Sequence, residues 1–528
     1  MIDEIVKKSW DVIVIGTGIG GGTIGRRLAE QGLSVLFVEA GPNGPRGEQT
    51  PLDSDVSDPV ARRVRGFLPT RIKAEINGRT SEFFGPLGAG VGGSSVFYAA
   101  TLERPERHDL DDDPKRPHPT GGWPVGYDNY QPYYDAAEKL YHVCGHEDPL
   151  SVERPSQLLK PPVQTAGDRA MMDGFRHGTL HPYQAHMAVR YLPNCKNCFG
   201  FKCPRDCKMD GRSAGVEPAL TTGNATLLDK CAVTALRGTN KSITHIEVER
   251  GGLKFVLRAK KYVLAAGALG SPRLLLASKS EYWPQGCGNS NGLVGCNLMF
   301  HINEMIAIWP KRGQKFKGAS KAIAMRDFYY RDGKRYGVVQ AMGLEASYGE
   351  IVHYLNMMYD RSVLRSLNVL RHLTRIPAFI AAKLFGSAKI FVGIMEDLPY
   401  AHNRVILDQA DPGRISVQYS FAAELIERHH NFRRTMKKAF RGQRVAFLGF
   451  QPELNFGHPS GTLRFGGDPA NSVLNASCRM HDINNLYVVD ASFMPTSMGI
   501  NPSLTIAANA LRVGDHLIAE LSSGAVSI

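Results

Sequence analysis

Residues 11–22 read DVIVIGTGIGGG, and this stretch restricts the fold more than any other in the chain. DVIVI is a β-branched apolar run of the kind buried on both faces inside a parallel sheet. Gly16, Gly18 and Gly21 follow in G-x-G-x-x-G spacing. In that spacing the first glycine makes a tight turn and the second lets the backbone approach a pyrophosphate. The third lets the next helix pack closely on the strand. TIGRRLAEQG reads as that helix, with Gly32 as its C-terminal stop, and SVLFVEAG reads as the second strand. The second strand ends at Glu39, 23 residues after Gly16, where a carboxylate can accept hydrogen bonds from an unphosphorylated ribose. Phosphates belong at the helix N-terminus, where unpaired N–H groups and the dipole favour anions. Strand, triplet, helix, strand and acid in this order point to NAD or FAD. The pattern alone leaves that choice open.

The totals set outer bounds. A chain of 528 residues is long for one hydrophobic core, so two domains or one large elaborated domain are expected. No apolar run is long enough to span a bilayer, and the N-terminus lacks the pattern of a secretory signal. A cytoplasmic location is therefore expected, with peripheral membrane contact left open. Nine cysteines is an odd count, and in such a compartment free thiols are the default. The net charge of +13 is read either as a solvated basic surface or as a sign of an anionic partner. No zinc-finger or RNA-binding signature is present, so no nucleic-acid partner is expected.

Two further glycine-rich stretches carry information. GPLGAGVGGSS (85–95) cannot be a packed helix, and its apolar flanks argue for a buried loop beside a ligand. KYVLAAGALGSPRLLLAS (261–278) reads as strand, turn and helix, with Pro272 in the helix's first turn. Before it, SITHIEVER and KFVLRA alternate as in an antiparallel meander.

These motifs, with GNSNGLVGCNLMFH (288–301) and NLYVVDASFMPTSMGINPSLTIAANA (485–510), occur in the order seen in the glucose–methanol–choline (GMC) oxidoreductases, which the chain resembles. The resemblance implies an α/β fold: a discontinuous Rossmann-like FAD domain with a substrate domain built on an antiparallel sheet plus helices. The expected boundaries are 8–104, 215–300 and 459–528 for the first, and 105–214 and 301–458 for the second. It also implies FAD and oxidation of an alcohol by hydride transfer. Carried over, Gly16, Gly18, Gly21 and Glu39 bind the ADP half. Gly92, Gly93, Ser94 and Ser95 lie near the pyrophosphate and flavin, and Val233 meets the adenine. Asp490 and Ala491 reach the pyrophosphate or ribityl chain, and Asn501 and Pro502 lie against the isoalloxazine. Where relatives with covalent flavin carry a histidine, this chain has Phe97, so the FAD is expected to be non-covalent.

The resemblance also implies a catalytic pair. His458 in HPSGT matches the family's H-x-x-G-T histidine, and Asn501, 43 residues on, matches the second position. Moving a hydride off a carbinol carbon needs a base for the hydroxyl proton, and neutral imidazole suits that task near pH 7. Asn501 can donate an N–H to the same oxygen. Glu396 is read as structural, as are His301, His402 and His481.

Three features stay open. Cys195, Cys198, Cys203 and Cys207 are spaced like metal or cluster ligands, but disulfide or free-thiol packing is the preferred reading, so no metal is assigned. Residues 361–393 lack Asp and Glu and alternate basic with apolar residues, as in a membrane-surface helix or a helix pair covering the flavin. WPVGYDNYQPYYDAAEKLY (123–141) resembles the family's aromatic segment beside the substrate. The expected partners are a small-molecule alcohol, sugar-like or bulky and apolar, and an acceptor that is oxygen, a quinone or a dye. The competing readings are a lyase or non-redox member holding FAD, and a flavoprotein subunit of a membrane-associated electron-transfer dehydrogenase.

Overall fold

The DVIVI run becomes strand Ser9–Ile15, which lies between two parallel neighbours, Val35–Val38 and the second half of Leu253–Leu264. A computed structural model describes residues 2–46, 59–153, 157–310, 321–345, 348–360, 362–385, 388–449 and 451–523. Ala225–Leu228 extends the parallel sheet on one side and Leu486–Val488 on the other. Val12, Ile13, Val14, Val35, Leu36 and Phe37 are fully buried. Each such side chain stabilises the fold by about 1.5–3 kcal/mol relative to an exposed one.

The first half of Leu253–Leu264 pairs antiparallel with Ile243–Arg250, which pairs with Ala232–Gly238. The alternating segments therefore do form a meander, and one long strand welds it to the parallel sheet. Helix Ile19–Glu30 packs against the C-terminal helix Ser503–Ser522, and helix Tyr127–Leu140 packs on the other side of the latter.

A second sheet is antiparallel throughout. Its order is Val445–Phe447, Ile302–Ile308, Lys389–Met395, Val339–Glu345, Ile323–Met325 and Tyr183–Gln184, with Glu453–Leu454 also on Ile302–Ile308. Helix Ala423–Ala439 seats Phe432 and Met436 on this sheet at Gly393, where a Cβ would meet the Phe432 ring at 2.8 Å. A four-stranded sheet joins the hairpin Ile72–Ile76 and Arg79–Phe83 to Ile415–Tyr419 and Arg404–Leu407. This is the expected α/β architecture, with an antiparallel sheet beside a Rossmann-like layer.

Buried arginines fasten the irregular segment after residue 100 to the second sheet. Arg326 contacts Glu106 at 2.7 Å, Glu103 at 3.0 Å and Asp148 at 3.5 Å. Arg335 contacts Glu396 at 2.8 Å and Asp109 at 2.9 Å. Removing one partner from such a cluster leaves an uncompensated buried charge, at a cost of about 3–5 kcal/mol.

Candidate active site

The three glycines of the opening motif sit in three different environments. Gly16 has φ +98°, and a Cβ on it would lie 2.4 Å from Ala265 O. A Cβ on Gly21 would lie 2.1 Å from Gly16 O, so the helix is seated on the turn itself. A Cβ on Gly18 would meet nothing within 4 Å. The backbone there faces open space at the start of helix Ile19–Glu30, which no side chain caps. A pyrophosphate fits that place, both sterically and by the charge of the helix end.

The GVGGSS loop closes over the same turn. Gly92 and Gly93 have positive φ, +98° and +56°, and a Cβ on Gly93 would lie 3.0 Å from Gly18 Cα. Gly92 N–H donates to Thr17 Oγ1 at 3.1 Å. Ser94 and Ser95 hold the loop together. Ser94 Oγ accepts from Gly88 N–H at 2.9 Å, and Ser95 Oγ donates to Gly92 O at 2.5 Å while accepting from Gly211 N–H at 2.9 Å. Gly211 is a member of this cradle that the sequence did not single out, since a Cβ on it would lie 2.7 Å from the Gly18 carbonyl carbon. Phe97 packs its ring 4.0 Å from that of Phe67 and offers no group for a covalent flavin bond.

Glu39 is buried, and its carboxylate accepts from Thr17 N–H at 3.1 Å, Thr17 Oγ1–H at 2.6 Å and Gly41 N–H at 3.0 Å. Burial still pushes its carboxyl above the usual range. A carboxylate has about four lone-pair sites, so acceptor capacity is left for ribose hydroxyls. Cys231 N–H donates to Glu39 O at 2.9 Å, which brings the start of Val233's strand beside the acid. Asp490 accepts from Gly267 N–H at 2.9 Å, Ser271 Oγ–H at 2.5 Å and Ser492 N–H at 2.9 Å. It thereby clamps the VVDAS segment to helix Gly267–Ala277. Val489 O and Ala491 lie in this segment, and a Cβ on Gly20 would come within 2.2 Å of Val489 O.

Pro272 differs from its expected position. The helix begins at Gly267, so Pro272 lies in its second turn and cannot donate to Ala268 O. Thr462 Oγ1 donates there instead at 2.7 Å. The HPSGT segment is tied to the Rossmann-like layer by this bond.

His458 and Asn501 have separate supports. His301 Nε2 faces Ser497 O at 3.1 Å and Met498 O at 3.0 Å, so its proton sits on Nε2. Burial draws His301 down to about 4, and its Nδ1 therefore holds a lone pair. His458 Nδ1 lies 2.9 Å from that lone pair and must donate to it. Nε2 of His458 is left as the basic nitrogen. Asn455 Nδ2 also lies 3.2 Å from His458 Nδ1, and one of its two hydrogens is directed to Asn303 Oδ1 at 3.4 Å. Burial, then His301 and Lys321, hold His458 well below the ordinary imidazole value, so it is neutral at pH 7. His301, read from sequence as structural, is thus in direct contact with the proposed base. Asn501 is buried, and its Oδ1 accepts from Gln340 Nε2 at 3.1 Å. Its Nδ2 remains the donor. Pro502 stands at the start of helix Ser503–Ser522, whose first turn has no side-chain cap. Gln340 had no sequence signal, because it is one strand residue among many.

Other candidates resolve plainly. Glu396 is buried and pairs with Arg335. Tyr130 and Tyr134 of the aromatic segment bond Asn509 at 2.9 Å and Thr505 at 3.2 Å, and Tyr141 bonds Thr23 at 2.7 Å. The helical stripe therefore packs on helices Ser503–Ser522 and Ile19–Glu30. In the cysteine loop, a hydrogen bond from Cys198 and three backbone N–H groups draw Cys203 down to about 5. Among the described residues no group of three or more His, Cys, Asp or Glu side chains is arranged to hold a metal.

Comparison with known proteins agrees with this geometry. Residues 11–303 and 399–510 match the two parts of the GMC oxidoreductase family. Paromamine 6'-oxidase of Streptomyces fradiae is 27% identical, over 98% of this chain and 92% of its own. 2-Methyl-1,2-propanediol dehydrogenase of Mycolicibacterium austroafricanum is 27% identical, over 96% and 95%. Among solved structures, pyridoxine 4-oxidase from Mesorbium loti superposes with a TM-score of 0.63 at 18% identity, over 96% of this chain and 99% of that one. With open space at Gly18 beside an uncapped helix start, and relatives matched almost end to end, the protein is a member of the GMC oxidoreductases, FAD-dependent enzymes that act on alcohol groups.

Proposed function

We propose that this enzyme oxidises an alcohol to a carbonyl with His458 as base and Asn501 orienting the substrate oxygen. FAD, when bound, accepts the hydride from the carbinol carbon. His458 Nε2 takes the hydroxyl proton, and Asn501 Nδ2 donates to the oxygen as negative charge grows there. The observation that carries the reading is the proton order fixed by His301: carbonyls hold the proton on its Nε2, so His458 donates from Nδ1 and keeps its lone pair on Nε2. His301 and Gln340 act as positioning residues.

Gly16, Gly18, Gly21, Gly92, Gly93 and Gly211 would cradle the pyrophosphate, with Glu39 and Val233 at the adenosine end. Phe97 supports dissociable FAD. The domain division 8–104, 215–300 and 459–528 against 105–214 and 301–458 belongs to the same reading. One relative is named for paromamine and another is a long-chain-alcohol oxidase, which keeps sugar-like and bulky or apolar alcohols in range. Oxygen or a quinone or dye takes the electrons onward, and peripheral membrane contact through residues 361–393 is part of the proposal.

The test is anaerobic flavin bleaching across an alcohol panel. His458→Ala is expected to slow bleaching by about 10²–10⁴-fold while keeping bound FAD. Bleaching at the wild-type rate would remove His458 from the chemistry.

A further inference from the structure

Helices Asn368–Leu373 and Arg375–Phe385 carry an apolar stripe with no cover among the described residues. Val369, Leu373, Ile376, Ile380 and Leu384 recur at helical spacing, each between 51% and 78% exposed, and Phe379 lies beside them. Folded soluble chains seldom leave such a contiguous patch without a use. The charge around it has one sign. Residues 361–395 contain no Asp or Glu. Arg371 is bound to Asp360 at 3.0 Å, whereas Arg375 and Lys383 have no carboxylate partner among the described residues, and Lys383 lies 4.5 Å over the Phe379 ring.

The stripe is fixed in place and connected inward. Thr374 Oγ1 donates to Asn356 Oδ1 of helix Tyr348–Asp360 at 2.7 Å, and Phe385 packs 5.6 Å from Trp309. Tyr354 of the same helix donates to Glu453 Oε2 at 3.2 Å. Glu453 is two residues before Asn455, which touches His458. The helix that supports the stripe is therefore hydrogen-bonded to the strand that leads into the segment of the proposed base.

We propose that this stripe docks on an anionic lipid bilayer and that the alcohol reaching His458 is an amphiphile taken from that interface. The second clause rests on the alcohol oxidation proposed above. An apolar face rimmed by cations is the pattern of helices lying in the headgroup region. A second copy fits less well, because a two-fold interface would bring together two patches of the same positive sign, with no carboxylate in residues 361–395 to answer Arg375 or Lys383.

The experiment is co-sedimentation of the full-length holoenzyme with vesicles of phosphatidylcholine alone or mixed with phosphatidylglycerol. The wild type is expected to pellet with the anionic vesicles and to be partly released by salt. Ile376→Asp with Ile380→Asp, both at exposed positions, is expected to cut binding by roughly a hundredfold. Arg375→Gln is expected to cut it by about fivefold. Flavin reduction by a short water-soluble alcohol should stay unchanged in the double variant, while reduction by a long-chain alcohol held in vesicles should fall. A wild type that stays in the supernatant with both vesicle types overturns the docking, as does a double substitution that turns a dimer into a monomer. Vesicle binding with no flavin reduction by any alcohol supports the docking and removes the delivery clause along with the oxidation reading.

Discussion

The role proposed for His458 resides in one lone pair. Its own segment offers no acid to orient the ring, and the orientation comes from a second histidine 157 residues away. Burial and the nearby Lys321 charge lower its proton affinity, so the native protein holds it neutral. The unfolded chain, with an ordinary imidazole, takes up a proton below about pH 6.5. Acid therefore favours unfolding through this group as the pH falls through that value, and above it the contribution is complete. For catalysis the expected outcome is a flavin-reduction rate that stays flat down through pH 6.5 and falls only well below it. Stopped-flow measurement across that range tests this, and an acid limb centred at 6.5 would show that His458 is not held neutral by its surroundings. Lys321→Met should move the limb upward. Asn501 poses the parallel question. Gln340 donates to its Oδ1, which leaves Nδ2 as the outward group. Gln340→Leu keeps the volume but frees that amide to rotate. It is expected to lower kcat by about tenfold, the scale of one neutral hydrogen bond, with FAD content unchanged.

At the scale of elements, the strand–turn–helix unit makes a sharp distinction between glycines that look alike in sequence. Gly18 has φ −62°, which alanine adopts freely, and its missing Cβ faces open space. Gly18→Ala should fold with a near-native melting temperature yet lose FAD, because the methyl takes the place of the pyrophosphate. Gly21→Ala must push its methyl into Gly16 O and should lower stability with or without FAD. Absorbance at 450 nm after desalting, together with a thermal melt, separates the two. A Gly18→Ala protein with full flavin content would mean that the pyrophosphate lies elsewhere. The glycine spacing was legible because its cause is local: one turn, one close approach, one helix contact. Glu39 and the meander were legible for the same reason. Pro272 was misplaced because the helix accepts a proline in its second turn only where Thr462, 194 residues away, satisfies Ala268 O. The spacing of the tyrosine stripe showed a buried face but not the identity of the element that covers it.

At the scale of the molecule, the proposed cofactor site draws on segments around residues 16–18, 39, 92–93, 211, 231, 490 and 501. A resemblance carried residue by residue could find most of these because the family keeps them in order. It could not find His301, Gln340 or Gly211, whose signal exists only after the chain has folded and brought them to their partners. The same assembly makes FAD a clamp between distant parts of the chain. A ligand that binds only the folded state stabilises it by about 2.7 kcal/mol at a hundred times its Kd. In a chain this large each kcal/mol moves the melting point by roughly 2 °C or less, so stripping FAD should lower Tm by several degrees. Because Phe97 offers no atom for a flavin bond, that stripping should be reversible. Acid precipitation is expected to leave the yellow colour in the supernatant, and added FAD should return Tm to its starting value in proportion to the logarithm of its concentration. Colour retained in the washed pellet would establish a covalent link. A Tm indifferent to added FAD would mean that the folded chain does not bind FAD in preference to the unfolded one, and the cradle at Gly18 would then not be the site of its pyrophosphate.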